Sequence, residues 1–300
     1  MKIGLIDADQ SKFPNLALMK LSAYHKSIGD TVNLVDYWDT YDRVYVSKVF
    51  TKSLMPQYII RSDDIRCGGS GWETKVDGWT HYDHLDDEIE HIMPDYSLYN
   101  TNKAYGFLTR GCPRGCEFCI VKEKEGNIHK VANLDEFWSG QKEIVLLDPN
   151  ITAYKGKKDL FQQLIDSKAW IDFSQGLDIR LITDSDIKML MQMKIKRIHF
   201  AYDLMSCGKS IEARLRLFKL ITGYDRSKVS VYILTNFNTT IQEDMHRVSF
   251  VRSLDFQPYV MIYDREKLPS HHVLRHLQRW TARPHITNSC TFEQYIKKIK

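Results

Sequence analysis

The sequence predicts an α/β protein: a Rossmann-like sheet first, then part of a parallel (β/α)6 barrel, then a helical tail. Three observations carry this. Short apolar strands alternate with amphipathic helices, polar residues gather where strands end, and no low-complexity tract interrupts the rhythm. The 300 residues are 43% apolar and 27% charged, enough to bury one large core or two smaller ones.

The first domain is expected over residues 1–98. KIGLID (2–7) reads as a strand, and Asn15 to His25 as a helix whose face carries Leu16, Leu18, Met19, Leu21 and Ala23. Gly29-Asp30 turns the chain into a second strand at 31–37, and DRVYVSKVF (42–50) alternates as a third. After Pro56, the stretch from Tyr58 to Trp72 reads as a short helix leading into a strand that ends at Gly68-Gly69-Ser70-Gly71. A helix then opens near Asp86 and Asp87, whose charges suit a first turn, and Pro94 stops it.

The barrel is expected over 99–265, with candidate strands at 104–109, 143–148, 170–179, 197–203, 229–237 and 258–264. Helical patterns lie between them at 159–167, 185–193, 212–221 and 240–254. The strand ends carry Asp148, Asn150, Gln175, Asp178, Arg180, Asp203, Asn236 and Asp264. In parallel barrels these ends face the active site, although Asp and Asn also suit plain turns. Residues 266–300 read as a basic helix, a proline break and a short amphipathic helix. Leu274, Leu277 and Trp280 form one apolar face of the first, so its Arg and His residues are either a phosphate-binding surface or simply a solvated side.

The net charge of +4 is mild and by itself selects no partner. No apolar run is long enough to span a membrane, and MKIGLIDADQ is too acidic and too briefly apolar for a signal peptide. A cytoplasmic location is expected, and there six cysteines point to metal or redox chemistry rather than disulfides.

The decisive string is TRGCPRGCEFCIV (109–121), in which Cys112, Cys116 and Cys119 follow a Cys-x3-Cys-x2-Cys spacing just after a strand. Soft thiolates so close in sequence can wrap one inorganic cluster from a single loop, with Gly111, Pro113 and Gly115 supplying turns. Three thiolates leave one corner of a 4Fe–4S cube open. A zinc site would want four protein ligands, and His129 nearby has no partner at zinc-finger spacing. Cys67, Cys207 and Cys290 are scattered and read as ordinary small apolar residues or as an auxiliary site, Cys207 being the best placed to face the strand ends.

With this loop and the βα units over 104–264, the sequence resembles the radical S-adenosylmethionine (SAM) superfamily, and Phe118 matches the aromatic residue that precedes the third cysteine there. The resemblance implies a 4Fe–4S cluster on the three cysteines and SAM chelating the open iron. It also implies reductive cleavage to a 5′-deoxyadenosyl radical and an electron donor of flavodoxin or ferredoxin type. By the same resemblance, Asp148 and Asn150 stand where a Gly-Gly-Glu-like motif meets the SAM amino group. Arg180 suits its carboxylate, and Asp178 or Asp203 its ribose, with Gln175 and Asn236 on the same rim. The first domain resembles a shortened cobalamin-binding type, but Asp7-Ala8-Asp9-Gln10-Ser11 stands where the lower-ligand histidine motif would be. Methylthiotransferases share this domain order. They would place three cysteines in the first domain, where only Cys67 occurs, and a small β-barrel after residue 264, where the pattern is helical. The substrate is not legible; nucleic acid, peptide and small molecule all remain open. A non-catalytic iron–sulfur protein that senses redox state or binds nucleic acid is the competing class.

Overall fold

The structure is a computed structural model that describes residues 1–11, 13–55, 59–72 and 75–299. It is an α/β chain built on two parallel sheets, and it divides into two compact units: 1–106 with 134–142, and 107–133 with 143–300.

In the first unit, β1 (Lys2–Asp7) leads through α1 (Leu16–Ser27) to β2 (Thr31–Leu34) and β3 (Arg43–Ser47), followed by β4 (Ile65–Gly68) and β5 (Thr80–Tyr82). The strands lie in the order β2-β1-β3-β4-β5, every pair parallel. This is a doubly wound order, reversing direction beside β1. Asn15 starts α1 by accepting the Leu18 amide at 3.2 Å. The apolar side of that helix, Leu18 and Leu21, closes over Ile3, Leu5 and Val32. Gly4 is required at its place, since a Cβ there would come within 2.7 Å of Val35.

One expectation fails here and another is met only in part. The short helix after Pro56 does not form over the described residues 59–64; Pro56 and Tyr58 themselves lie outside the described residues. Ser62 and Asp64 make a turn instead, and the Asp64 carboxylate takes both Arg43 (2.5 Å) and Arg66 (3.0 Å). The helix expected from residue 86 is a single turn, α2 (Asp87–Glu90), and a 3-10 turn at Tyr96–Tyr99 follows Pro94. Acidic side chains favour a first turn but supply no apolar face to lengthen it. β6 (Ala104–Gly106) closes the main run of this unit.

In the second unit, β7 (Thr109–Arg110), α3 (Val121–Glu125) and β8 (His129–Lys130) form the cysteine-bearing excursion, β7 and β8 pairing antiparallel. The strand expected at 104–109 is thus split, its last part joining this ribbon. There follow β9 (Glu143–Leu146), α4 (Lys157–Ser167), β10 (Trp170–Leu177), α5 (Asp184–Gln192), β11 (Lys194–Ala201), α6 (Gly208–Thr222), β12 (Val229–Thr235), α7 (Ile241–Ser253) and β13 (Gln257–Ile262). These strands run in sequence order, β9 to β13, all parallel, as right-handed βα repeats require. Capping boxes at Thr183–Asp186 and Thr240–Glu243 start α5 and α7. The tail forms α8 (Val273–Thr281), α9 (Pro284–Thr287) with Pro284 at its first position, and α10 (Phe292–Ile299). α8 lies along β13, burying Leu274, Leu277 and Trp280, and Gln278 donates to the Val260 carbonyl at 3.0 Å. It thereby covers an edge strand that would otherwise offer free carbonyls. No helix among the described residues is long and apolar enough to cross a membrane.

Candidate iron–sulfur site

Because the strands of the second sheet are parallel, the turns after β9, β10, β11 and β12 all emerge at one edge. The loop from Gly111 to Cys119 is joined to that edge by named contacts. At its base, Asp148 follows β9 and is buried; its carboxylate accepts the Leu108 amide at 3.1 Å, the Thr109 amide at 2.5 Å and the Thr109 hydroxyl at 2.6 Å. Burial pushes this carboxyl up to about 6, against the pull of those donors. Gly111 has φ +80°, and a Cβ on it would lie 2.4 Å from the Asn127 carbonyl oxygen, so the sharp entry to the loop requires glycine. Its amide donates to Glu125 at 2.9 Å. Gly115, expected to serve the same purpose, sits in open space without a positive φ.

Asn150 donates to the Cys112 sulfur at 3.4 Å while its carbonyl accepts the Thr152 hydroxyl at 2.7 Å. The Cys119 amide donates to the Cys116 carbonyl at 2.9 Å, folding the second half of the loop back on itself. The Cys116 thiol is pushed above its ordinary value, first by burial and then by Cys119 and Cys112; Arg180 draws it down and Asp203 adds to the rise. The three thiols and the ends of β10 and β11 therefore share one electrostatic neighbourhood.

Asp178 follows β10 and receives Arg180 (2.8 and 3.0 Å) and Arg114, the arginine between the first two cysteines. Burial alone would raise the Asp178 carboxyl, but the two guanidiniums hold it below the usual carboxylate value. The remaining edge of Arg180 meets the Cys207 sulfur at 3.2 Å. Asp184, the first residue of α5, is 3.6 Å from Arg214. Asp203 accepts the Leu234 amide at 3.0 Å, and burial pushes its carboxyl up to about 6. Phe118 packs edge-on against Phe237 (5.2 Å between centroids), which packs in turn against Tyr263 (5.0 Å).

Two of the expected rim residues stand apart. Asn236, at φ +64°, donates to the Tyr263 carbonyl at 2.8 Å and so ties the ends of β12 and β13. Gln175 is exposed in the irregular part of β10, and among the described residues no hydrogen bond links it to the cysteine loop. Sequence reading missed Arg114 and Arg247. Arg247, fully buried on α7, donates to the carbonyls of Tyr202 (2.7 Å), Asp203 (2.8 Å) and Leu234 (2.8 Å) and to Asp244 (2.5 Å). It clamps the ends of β11 and β12, and its signal was a lone arginine on the apolar stripe of Val248 and Val251.

No family model matches the chain. It is similar to the tRNA-2-methylthio-N(6)-dimethylallyladenosine synthase of Hydrogenobaculum sp. (strain Y04AAS1), at 26% identity over 200 residues, which are 57% of this chain and 46% of the relative. This likeness supports the expected relationship to the radical SAM superfamily. The match spans less than half of the relative's length. Among the described residues, no three His, Cys, Asp or Glu side chains are close enough to hold a single metal ion. By chemistry the loop's donor set, three thiols within eight residues, is a soft one. All six cysteines are free thiols.

Proposed function

We propose that this protein is a radical SAM enzyme in which Cys112, Cys116 and Cys119 hold a 4Fe–4S cluster with one iron open to SAM. The observation that carries the reading is the three-thiol loop, tied through Asn150 and Asp148 to the turn after β9 and sharing an electrostatic neighbourhood with Arg180 and Asp203. When bound, the cluster supplies the electron for reductive cleavage of SAM, delivered by a flavodoxin- or ferredoxin-type donor. Asp148 holds the loop entry. Asn150 is the better placed of the two to accept the SAM amino group, Arg180 turns its Cys207 edge to the carboxylate, and Asp203 takes the ribose. Asp178 keeps Arg180 oriented, and Phe118 sets the third cysteine against an aromatic wall.

In architecture, the same reading takes residues 1–98 as a Rossmann-like domain, 99–265 as a partial (β/α)6 barrel and 266–300 as its helical extension. It places the protein in the reducing cytoplasm. The relative's name specifies tRNA, which favours a nucleic acid as the substrate class here.

The test is anaerobic reconstitution with iron and sulfide, then dithionite and SAM, with 5′-deoxyadenosine followed by chromatography. Its release supports the enzyme. A competent cluster that never yields it would establish the competing class, a non-catalytic iron–sulfur protein.

A further inference from the structure

The chain's positive charge is unevenly placed. Residues 265–300 hold eight Lys and Arg against two Asp and Glu, so this tail more than accounts for the net +4 and the rest of the chain is slightly acidic. The structure shows where that charge goes. Between α8 and the edge strand β13 lies a cavity of about 450 Å³ whose lining includes Arg265, Arg275, Arg279, Arg283, Gln278 and Tyr259, and no carboxylate.

The four arginines divide by role. Arg275 donates to the Leu268 carbonyl (2.7 Å) and the Arg265 carbonyl (2.7 Å), holding the turn before α8, and Arg265 donates to Gln278 at 3.0 Å. Arg279 and Arg283 are exposed, four residues apart, and among the described residues neither guanidinium has a hydrogen-bond or ion-pair partner. Tyr259 stands beside them with 52% of its surface open. A solvated helix face would scatter its charges and intersperse acids. Here two unneutralised guanidiniums and an exposed ring converge on one concave surface, with buried Leu274, Leu277 and Trp280 fixing the helix beneath them.

We propose that this cavity binds the phosphodiester backbone of a nucleic acid, Arg279 and Arg283 each taking a phosphate bidentately and Tyr259 stacking on a base. A run of phosphates, rather than one small anion, matches two free arginines, one on α8 and one at the turn into α9. The proposal deepens the enzymatic reading above by naming where its substrate is gripped, yet the binding it requires does not depend on the cluster.

The experiment is a fluorescence-anisotropy titration of the reconstituted full chain with a labelled single-stranded RNA and the DNA of the same sequence, across a salt series. Binding that weakens with salt is expected. The double variant Arg279→Ala, Arg283→Ala should bind at least about tenfold more weakly, with the slope of log K against log salt reduced by roughly 1.4, and its lysine counterpart should restore the slope but only part of the affinity. Both residues are exposed, so an unchanged melting temperature checks the fold. Whichever strand binds more tightly identifies RNA or DNA. Absence of binding by the unmodified protein at low salt would overturn the proposal, as would an unchanged slope in the alanine variant. So would arginine-dependent binding of ATP alone with neither oligonucleotide bound. A variant with Cys112, Cys116 and Cys119 all changed to Ala should retain the binding while forming no 5′-deoxyadenosine, so each reading can fail without the other.

Discussion

The two sheets end their strands with the same kinds of residue and use them differently. At the edge of the first sheet, Asp9 accepts the amides of Val49 (2.7 Å) and Phe50 (3.1 Å), Asp7 accepts the Tyr99 hydroxyl (2.8 Å), and Asn15 donates to Ser47 (2.8 Å). Each polar group there is closed on backbone or a hydroxyl and shapes a loop. At the edge of the second sheet, Asp148 and Asp203 also accept backbone amides, but Asp178 faces two arginines, Arg180 faces a thiol, and Asn150 faces another. Such partners are exchangeable: a cation or thiol can trade its neighbour for a ligand, whereas a backbone amide has nowhere else to go. The cysteines repeat the contrast. Cys67 is 2% exposed within β4, donates to the Thr80 carbonyl, and burial pushes its thiol up to about 11. A thiol held protonated in a core is packing material, while the loop cysteines stand where metal chemistry can reach them.

The largest test of this contrast is a pair of cysteine variants. Cys116→Ala should abolish cluster incorporation, seen as loss of bound iron and of visible charge-transfer absorption. Cys67→Ala should keep full iron content and cost about 1–2 kcal/mol in urea unfolding. Iron lost from the Cys67 variant would break the comparison.

Next in size is Arg247→Met, which leaves Asp244 buried without its cation. It should destabilise the protein by about 3–5 kcal/mol in denaturant melts, far more than removal of any exposed arginine.

Asp148 sharpens the comparison through pH. Its carboxyl titrates near 6 in the fold and near 3.9 when unfolded. Between these values the native state holds a proton that the unfolded chain has released. Stability from this group is therefore greatest below the unfolded value and falls as pH rises through 6. Wild-type protein should gain about 1 kcal/mol relative to Asp148→Asn on going from pH 7 to pH 5, measured by urea unfolding of both.

The smallest effect belongs to the first sheet. Asp9→Ala releases two loop amides and should cost about 1 kcal/mol with iron content and 5′-deoxyadenosine formation unchanged, as melts and product assays will show.

Much of this was legible before any coordinates. Strand–helix alternation located β9 to β13 and α4 to α7 within a few residues, because each period of two or 3.6 is a local property of the chain. The spacing of Cys112, Cys116 and Cys119 marked out a soft-ligand loop after a strand, since three thiols within eight residues are a local property of the chain. The position of Asp148, Asn150, Asp178, Arg180 and Asp203 at strand ends was likewise readable. Their partners were not. That Asp178 receives an arginine from 64 residues earlier, that Asp148 reaches back about 40 residues to the base of the loop, and that Arg247 can lie buried among carbonyls are consequences of register between parallel strands. The same holds for the tail: its basic face was visible as a pattern, but the concave arginine surface exists only because α8 docks against β13. Local periodicity dictates which face of an element is apolar; which two faces meet, and which charges are left facing each other or facing solvent, is decided by the packing of elements far apart in the chain.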